Sequence, residues 1–147
     1  MLDSNKKNHL SPNNHSNLRQ LVVIGAGGHA VSVANIAISA GYTIKCFVDK
    51  YRKVTSLLGF NVICSLEELK SLNAYSFSIA IGDNAARERI FYEEKSKYAN
   101  LHFPSLIHSS ATICSFTMIE EGTVIMPKAV VGPVIPPLTT ALRSRIN

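Results

Sequence analysis

The chain has 147 residues, 46% hydrophobic and 17% charged, with a formal net charge of +5. That length allows one domain with its own core, or a small domain and the start of another, and the apolar content is too high for a disordered chain. No apolar run approaches the roughly 18 to 20 residues that a bilayer crossing needs, and the first 20 residues are polar and rich in Asn. The sequence therefore reads as a cytoplasmic protein with no signal peptide and no membrane partner. The positive charge does not point to nucleic acid: Lys6, Lys7, Arg19, Arg143 and Arg145 lie in the two irregular ends, and no basic stripe with interleaved aromatics crosses the middle. Cys46, Cys64 and Cys114 are far apart, without CxxC spacing or a His cluster, so free and mostly buried thiols are expected and no metal site.

In chain order, residues 1–19 form a polar tail without period, expected to be disordered. Leu21-Val22-Val23-Ile24 is a short continuous apolar run, the pattern of a parallel strand buried on both faces. Gly25-Ala26-Gly27-Gly28-His29-Ala30 follows. Over residues 29–40 the apolar and small residues Ala30, Val33, Ala34, Ile36, Ala37 and Ala40 fall at helical spacing, and Gly41 supplies a stop. Ile44-Lys45-Cys46-Phe47-Val48 predicts a second strand ending at Asp49, and residues 51–56 a polar connection. Asn61-Val62-Ile63 is a short strand, Ser65 and Glu68 have the spacing of a capping box, and residues 77–81 form another buried strand. Gly82-Asp83-Asn84 turns into a helix over residues 85–97, which Asn84 is placed to cap; Arg87, one turn in, reads as a surface charge.

The texture then changes. Ile107, Ile113, Ile119, Ile125 and Val131 recur at intervals of six, and four positions after each stands Ala111, Thr117, Thr123, Ala129 or Ile135. A hexapeptide period with stacked aliphatic residues is the signature of a β-helix. The register breaks at Pro137. With three hexapeptides to a coil, five repeats supply fewer than two coils, so the solenoid is expected to be incomplete.

The site chemistry concentrates in the first part. Gly25, Gly27 and Ala30 fill the three places of G-x-G-x-x-G/A between a strand and a helix, where backbone N–H groups and the helix dipole meet phosphates. Asp49, about 20 residues on, stands where a carboxylate accepts from a ribose hydroxyl. His29 sits in the turn itself, either reaching a phosphate or sugar or capping the helix. Gly82 and Ala85 occupy a second strand-to-helix junction, and such junctions share one crevice in a parallel sheet.

Taken together, Ile24-Gly25-Ala26-Gly27-Gly28-His29-Ala30, Asp49, Ile81-Gly82-Asp83-Asn84 with Arg87, and Phe103-Pro104-Ser105-Leu106-Ile107-His108 ahead of the hexapeptides resemble the NeuD/PglD family of sugar O- or N-acetyltransferases. The resemblance implies an α/β fold in which a Rossmann-like parallel-sheet domain, residues 20–103, is followed by the start of a left-handed β-helix, residues 104–136, and an irregular tail, residues 137–147. It implies that Gly27, Gly28 and His29 contact a UDP- or CMP-linked nucleotide sugar, that Asp49 and Lys50 border it, and that Gly82 and Ala85 line the same crevice. The family's general base is a His on a later β-helix coil, and its acetyl-CoA pocket lies between neighbouring subunits of a trimer. The expectation is therefore a shortened member that binds nucleotide sugar, with no catalytic residue and no retained acetyl-CoA site; His102 and His108 precede the solenoid and read as structural. Partners implied are a homotrimer or a full-length acetyltransferase. Two other functions stay open: a regulatory module for an enzyme of polysaccharide synthesis, and an NAD-binding oxidoreductase fragment, because the glycine turn alone does not separate a dinucleotide from a nucleotide sugar.

Overall fold

A computed structural model describes residues 19–51 and 53–133. The predicted tail up to residue 18, Ile135, the register break at Pro137 and the irregular end lie outside these residues. Strand β1 (Gln20–Ile24) leads through helix α1 (Gly28–Ser39) to β2 (Thr43–Val48), a short β3 (Ser56–Leu57) and β4 (Phe60–Ile63). Two 3-10 turns, Leu66–Glu68 and Leu72–Ala74, precede β5 (Ser76–Ile79) and helix α2 (Asn84–Lys97). The sheet order is β3-β4-β2-β1-β5. Pairing is parallel throughout except at the β3 edge, which is antiparallel to β4.

The predicted polar connection over residues 51–56 runs into that unforeseen edge hairpin. Its two turn residues, Leu58 (φ 53°) and Gly59 (φ 80°), are both left-handed, as a tight two-residue hairpin requires. Leu at such a position is unusual, which is why the turn carries no sequence signal.

Strand β1 has no polar alternation because both of its faces are covered. Leu21 and Val23 pack with Ala30, Val33, Ala34, Ile36 and Ala37 of α1, whose small residues let the helix approach the sheet. Val22 points the other way, into a second cluster with Cys46, Phe77, Ile79, Leu101 and Phe103. The Phe77 and Phe103 rings lie 6.0 Å apart, and Phe91 of α2 is 5.0 Å from Phe103. No residue of α2 is fully buried.

Past α2, Ser76 bridges to His102, and His102 Nδ1 lies 3.1 Å from Ser76 Oγ. Then come β6 (Leu106–Ile107), β7 (Thr112–Ile113), β8 (Val124–Ile125) and β9 (Val130–Val131). Leu106 pairs in parallel with Val124 and Thr112 with Val130, each partner 18 residues further on, which is three hexapeptides. Phe116, Gly122 and Lys128 all have positive φ, so corners recur at the same six-residue phase. Ile125 is buried, while Ile107, Ile113, Ile119 and Val131 are only half-buried. Ile119 lies outside the strands. Across the expected boundary at residues 103/104, Leu106 is fully buried in the same cluster as α1, so the hexapeptide region is packed onto the sheet domain. No helix among the described residues is long and apolar enough to cross a membrane.

Candidate functional site

The chain leaves β1 for β2 and β4 on one side of the sheet, and returns to place β5 on the other side of β1. The strand order therefore reverses between β1 and β5, and the loops after both strands open onto one crevice at their carboxyl ends, the position where open α/β sheets hold ligands.

The three motif positions after β1 have different work. Gly25 is structural: its φ is +116°, and a Cβ there would stand 2.8 Å from the Ala80 carbonyl oxygen at the end of β5. Its amide donates to Val48 O at 2.7 Å, which ties the turn to β2 as well. Ala30 is fully buried between α1 and the sheet, where a larger side chain would push the helix away. Gly27 has neither constraint: its φ is −89° and a Cβ on it would meet nothing within 4 Å. Gly28 and Gly82 likewise look onto open space. The protein's own packing does not require glycine at these three positions. Helix α1 begins with Gly27 as its N-cap residue, without a side-chain cap and without an acidic residue in its first turn, so its positive end is open.

A cavity of about 700 Å³ lies beside this turn, with Ile24 and Gly25, Val48 and Asp49, Leu66, Ile81 and Ile90 among its walls. Lys50, Tyr51, Cys64, Ser65, Glu67, Arg89, Glu93, Glu94 and Lys97 complete it. Of the residues proposed from sequence, Asp49 and Lys50 line it. Gly27, Gly28 and His29 stand outside the lining, at the start of α1 directly after Gly25, and Gly82 and Ala85 stand just after the wall residue Ile81. Asp49 accepts from Tyr51 N at 2.9 Å through Oδ1, a turn that aims the carboxylate at the end of β2. The Lys50 ammonium lies 5.6 Å from the Tyr51 ring centroid.

The far wall, formed by the turn after β4 and by α2, was not foreseen. The predicted capping box was its one available signal: Glu68 Oε1 accepts from Cys64 N at 2.7 Å and from Ser65 N at 3.2 Å. In a parallel sheet a capped turn after β4 has to open on the same side as the turn after β2. Beside it, Tyr98 donates to Glu67 Oε1 at 2.6 Å, closing α2 onto this turn. Hydrogen bonds from the Ser65 and Tyr98 hydroxyls hold Glu67 down to about 2, and the same contact raises Tyr98 to about 12. Two basic groups of α2 at this wall are met within the helix, Arg89 by Glu93 at 3.7 Å and Lys97 by Glu94 at 3.3 Å.

Three expectations need correction. Asp83, not Asn84, caps α2, with Oδ1 accepting from Ala86 N at 2.7 Å. Arg87 is not a loose surface charge: Nη1 donates to Ile81 O at 2.8 Å and Nη2 to Asn84 Oδ1 at 2.6 Å. The cysteines are free, but only Cys46 is buried, and burial pushes its thiol up to about 11; Cys64 is exposed at the cavity wall because it follows β4 into the crevice. His108 Nδ1 is used locally with Ser110, at 2.9 Å from its Oγ. No group of His, Cys, Asp and Glu among the described residues is arranged to hold a metal ion.

Residues 20–93 match the family model of the PglD N-terminal domain. The chain belongs to the NeuD/PglD-type sugar acetyltransferases. Among solved structures, the chain is 38% identical to the acetyltransferase domain of PglB from Neisseria gonorrhoeae in complex with acetyl coenzyme A, with a TM-score of 0.66. PerB from Caulobacter crescentus, solved with CoA and GDP-perosamine, is 27% identical with a TM-score of 0.65. The alignments cover 77% and 78% of this chain but only 55% and 54% of those relatives, so it spans about half their length.

Proposed function

We propose that the described residues are the nucleotide-sugar-binding part of a sugar acetyltransferase. The observation that carries this reading is the division of labour among the glycines. Gly25 is demanded by the fold, whereas Gly27, Gly28 and Gly82 face open space at the two junctions flanking the crevice. Bare backbone there lets a diphosphate approach the amides at the α1 start, which the helix dipole favours. Asp49 is placed to accept from a ribose hydroxyl, and Lys50 borders the same ligand. The 700 Å³ cavity beside the turn is of the size that holds a small ligand. PerB, to which the chain is similar, was solved with a nucleotide sugar, GDP-perosamine.

In this reading the hexapeptide region is the beginning of a left-handed β-helix, supported by the 18-residue ladder spacing and the recurrent corners. Acetyl transfer needs a base and a thioester pocket besides the sugar site. The reading assigns the nucleotide sugar, and no acetyl-CoA or catalytic residue, to the described residues. The partners in this reading are further copies in a homotrimer or a full-length acetyltransferase, and the compartment is the cytoplasm. Calorimetric titration with a UDP-linked amino sugar, with NADH and acetyl-CoA in parallel, tests the assignment. Saturable binding of the nucleotide sugar alone is the expected result. Tight NADH binding with silence toward the nucleotide sugar would favour a dinucleotide site instead.

A further inference from the structure

We infer that Arg87 is a positioning residue that holds the Gly82 turn in the shape a ligand meets; this rests on the nucleotide-sugar reading of the crevice. Packing does little to fix the turn. Gly82 and Asp83 are exposed, a Cβ on Gly82 would touch nothing, and no residue of α2 is fully buried, so packing alone does not pin the helix start. Arg87 spans the gap. From one turn inside α2 it reaches back six residues to the Ile81 carbonyl, a group of the cavity wall, while its other terminal nitrogen holds the Asn84 side chain. The guanidinium thus fastens Ile81, two residues past β5, and the first helical residue, on either side of Gly82 and Asp83. Asp83 completes the bracket through Ala86 N.

Arginine suits this task because a planar fork donates in two fixed directions at once, and its charge strengthens both bonds. Lysine has one flexible head and reaches one acceptor well. The bracket also keeps the Asn84 side chain turned toward Arg87 and away from the crevice. Ligand contact at this junction then falls to the backbone of Gly82 and Ala85, which the bracket presents in a set shape. Such pre-organisation acts on affinity by removing an ordering cost at binding.

The test compares wild-type chain with Arg87→Ala, Arg87→Lys and the double variant Arg87→Ala/Asn84→Ala. Calorimetry uses a UDP-linked amino sugar, and amide hydrogen exchange is read without ligand. Arg87→Ala is expected to bind about tenfold more weakly, with faster exchange confined to residues 82–85, unchanged exchange in α1 and an unchanged melting temperature. Arg87→Lys recovers part of the loss, and the double variant binds no worse than Arg87→Ala, since Asn84 acts through Arg87. Unchanged affinity in Arg87→Ala, or unchanged exchange at residues 82–85, overturns the inference. So does exchange that rises equally in α1, which would make Arg87 a support of the fold at large. Silence of the wild-type chain toward the nucleotide sugar sinks the functional reading itself, while the exchange comparison still judges the bracket.

Discussion

Gly25 and Gly27 are two residues apart and separate fold from function. Alanine at position 25 combines a strained φ with a 2.8 Å approach to Ala80 O, so Gly25→Ala is expected to destabilise the chain by about 2 to 4 kcal/mol. Gly27→Ala meets nothing, and losing a glycine N-cap is expected to cost no more than about 1 kcal/mol, while nucleotide-sugar affinity falls. Denaturation and titration of the two variants check this pair, and equal stability losses would remove the distinction. The motif spacing made Gly25, Gly27 and Ala30 legible in the sequence, but not which of them the fold itself requires, because that depends on β5 arriving beside Gly25. Cysteine burial was legible only for Cys46, which sits within a buried strand. Near neutral pH an alkylating reagent is expected to label Cys64 fast and to leave Cys46 intact in the native chain, since the thiolate is the reactive form. Bound nucleotide sugar should slow the Cys64 reaction; labelling at Cys64 that ignores saturating ligand would place the ligand away from this wall.

At the scale of elements, β1, α1, β2 and β5 were readable because each carries a periodic or continuous apolar pattern, and α2 from the Gly82-Asp83-Asn84 turn that starts it, since it buries no residue. The β3 hairpin and the wall after β4 were not, because a two-residue strand has no period and its turn uses Leu58. The Glu67–Tyr98 contact joins that wall to α2 and makes it pH-sensitive. Glu67 is held at about 2 against an ordinary 4.5, so its contribution is present above about pH 4.5 and is lost as pH falls toward 2. Tyr98 is raised from 10 to about 12, so its share is present below pH 10 and lost as pH rises through about 12. The contact itself is exposed, and its effect on global stability is small. Local hydrogen exchange at the C-terminal turn of α2 is therefore the sensitive readout. It should accelerate between pH 4.5 and 2 after correction for intrinsic rates, and Tyr98→Phe should lose that dependence. An identical profile in Tyr98→Phe would show that the contact does not control the wall.

Over the whole molecule, the sheet domain and the hexapeptide region share a core through Leu106, which is fully buried among α1 residues. Leu106→Ala is expected to cost about 2 to 5 kcal/mol, and to weaken sheet and hexapeptide pairs in one transition. Separate transitions, with the sheet unaffected in denaturant, would mean the two regions are independent. The hexapeptide period was legible as a repeat, yet its uneven burial was not, because burial depends on which repeats pack against the sheet domain, as Leu106 and Val124 do. The family was legible from motif order, and the crevice from two strand-to-helix junctions at the carboxyl ends of parallel strands, whereas the reversal of strand order between them was not. The central claim is that a nucleotide sugar lies across the two open glycine junctions and beside Asp49. Amide chemical shifts of the full chain, followed by NMR during titration with a UDP-linked amino sugar, test it most directly. The account predicts saturable shifts at Gly27, Gly28, Asp49 and Gly82, with little change at residues 106–131; shifts absent from both junctions, or confined to the hexapeptide region, would contradict it.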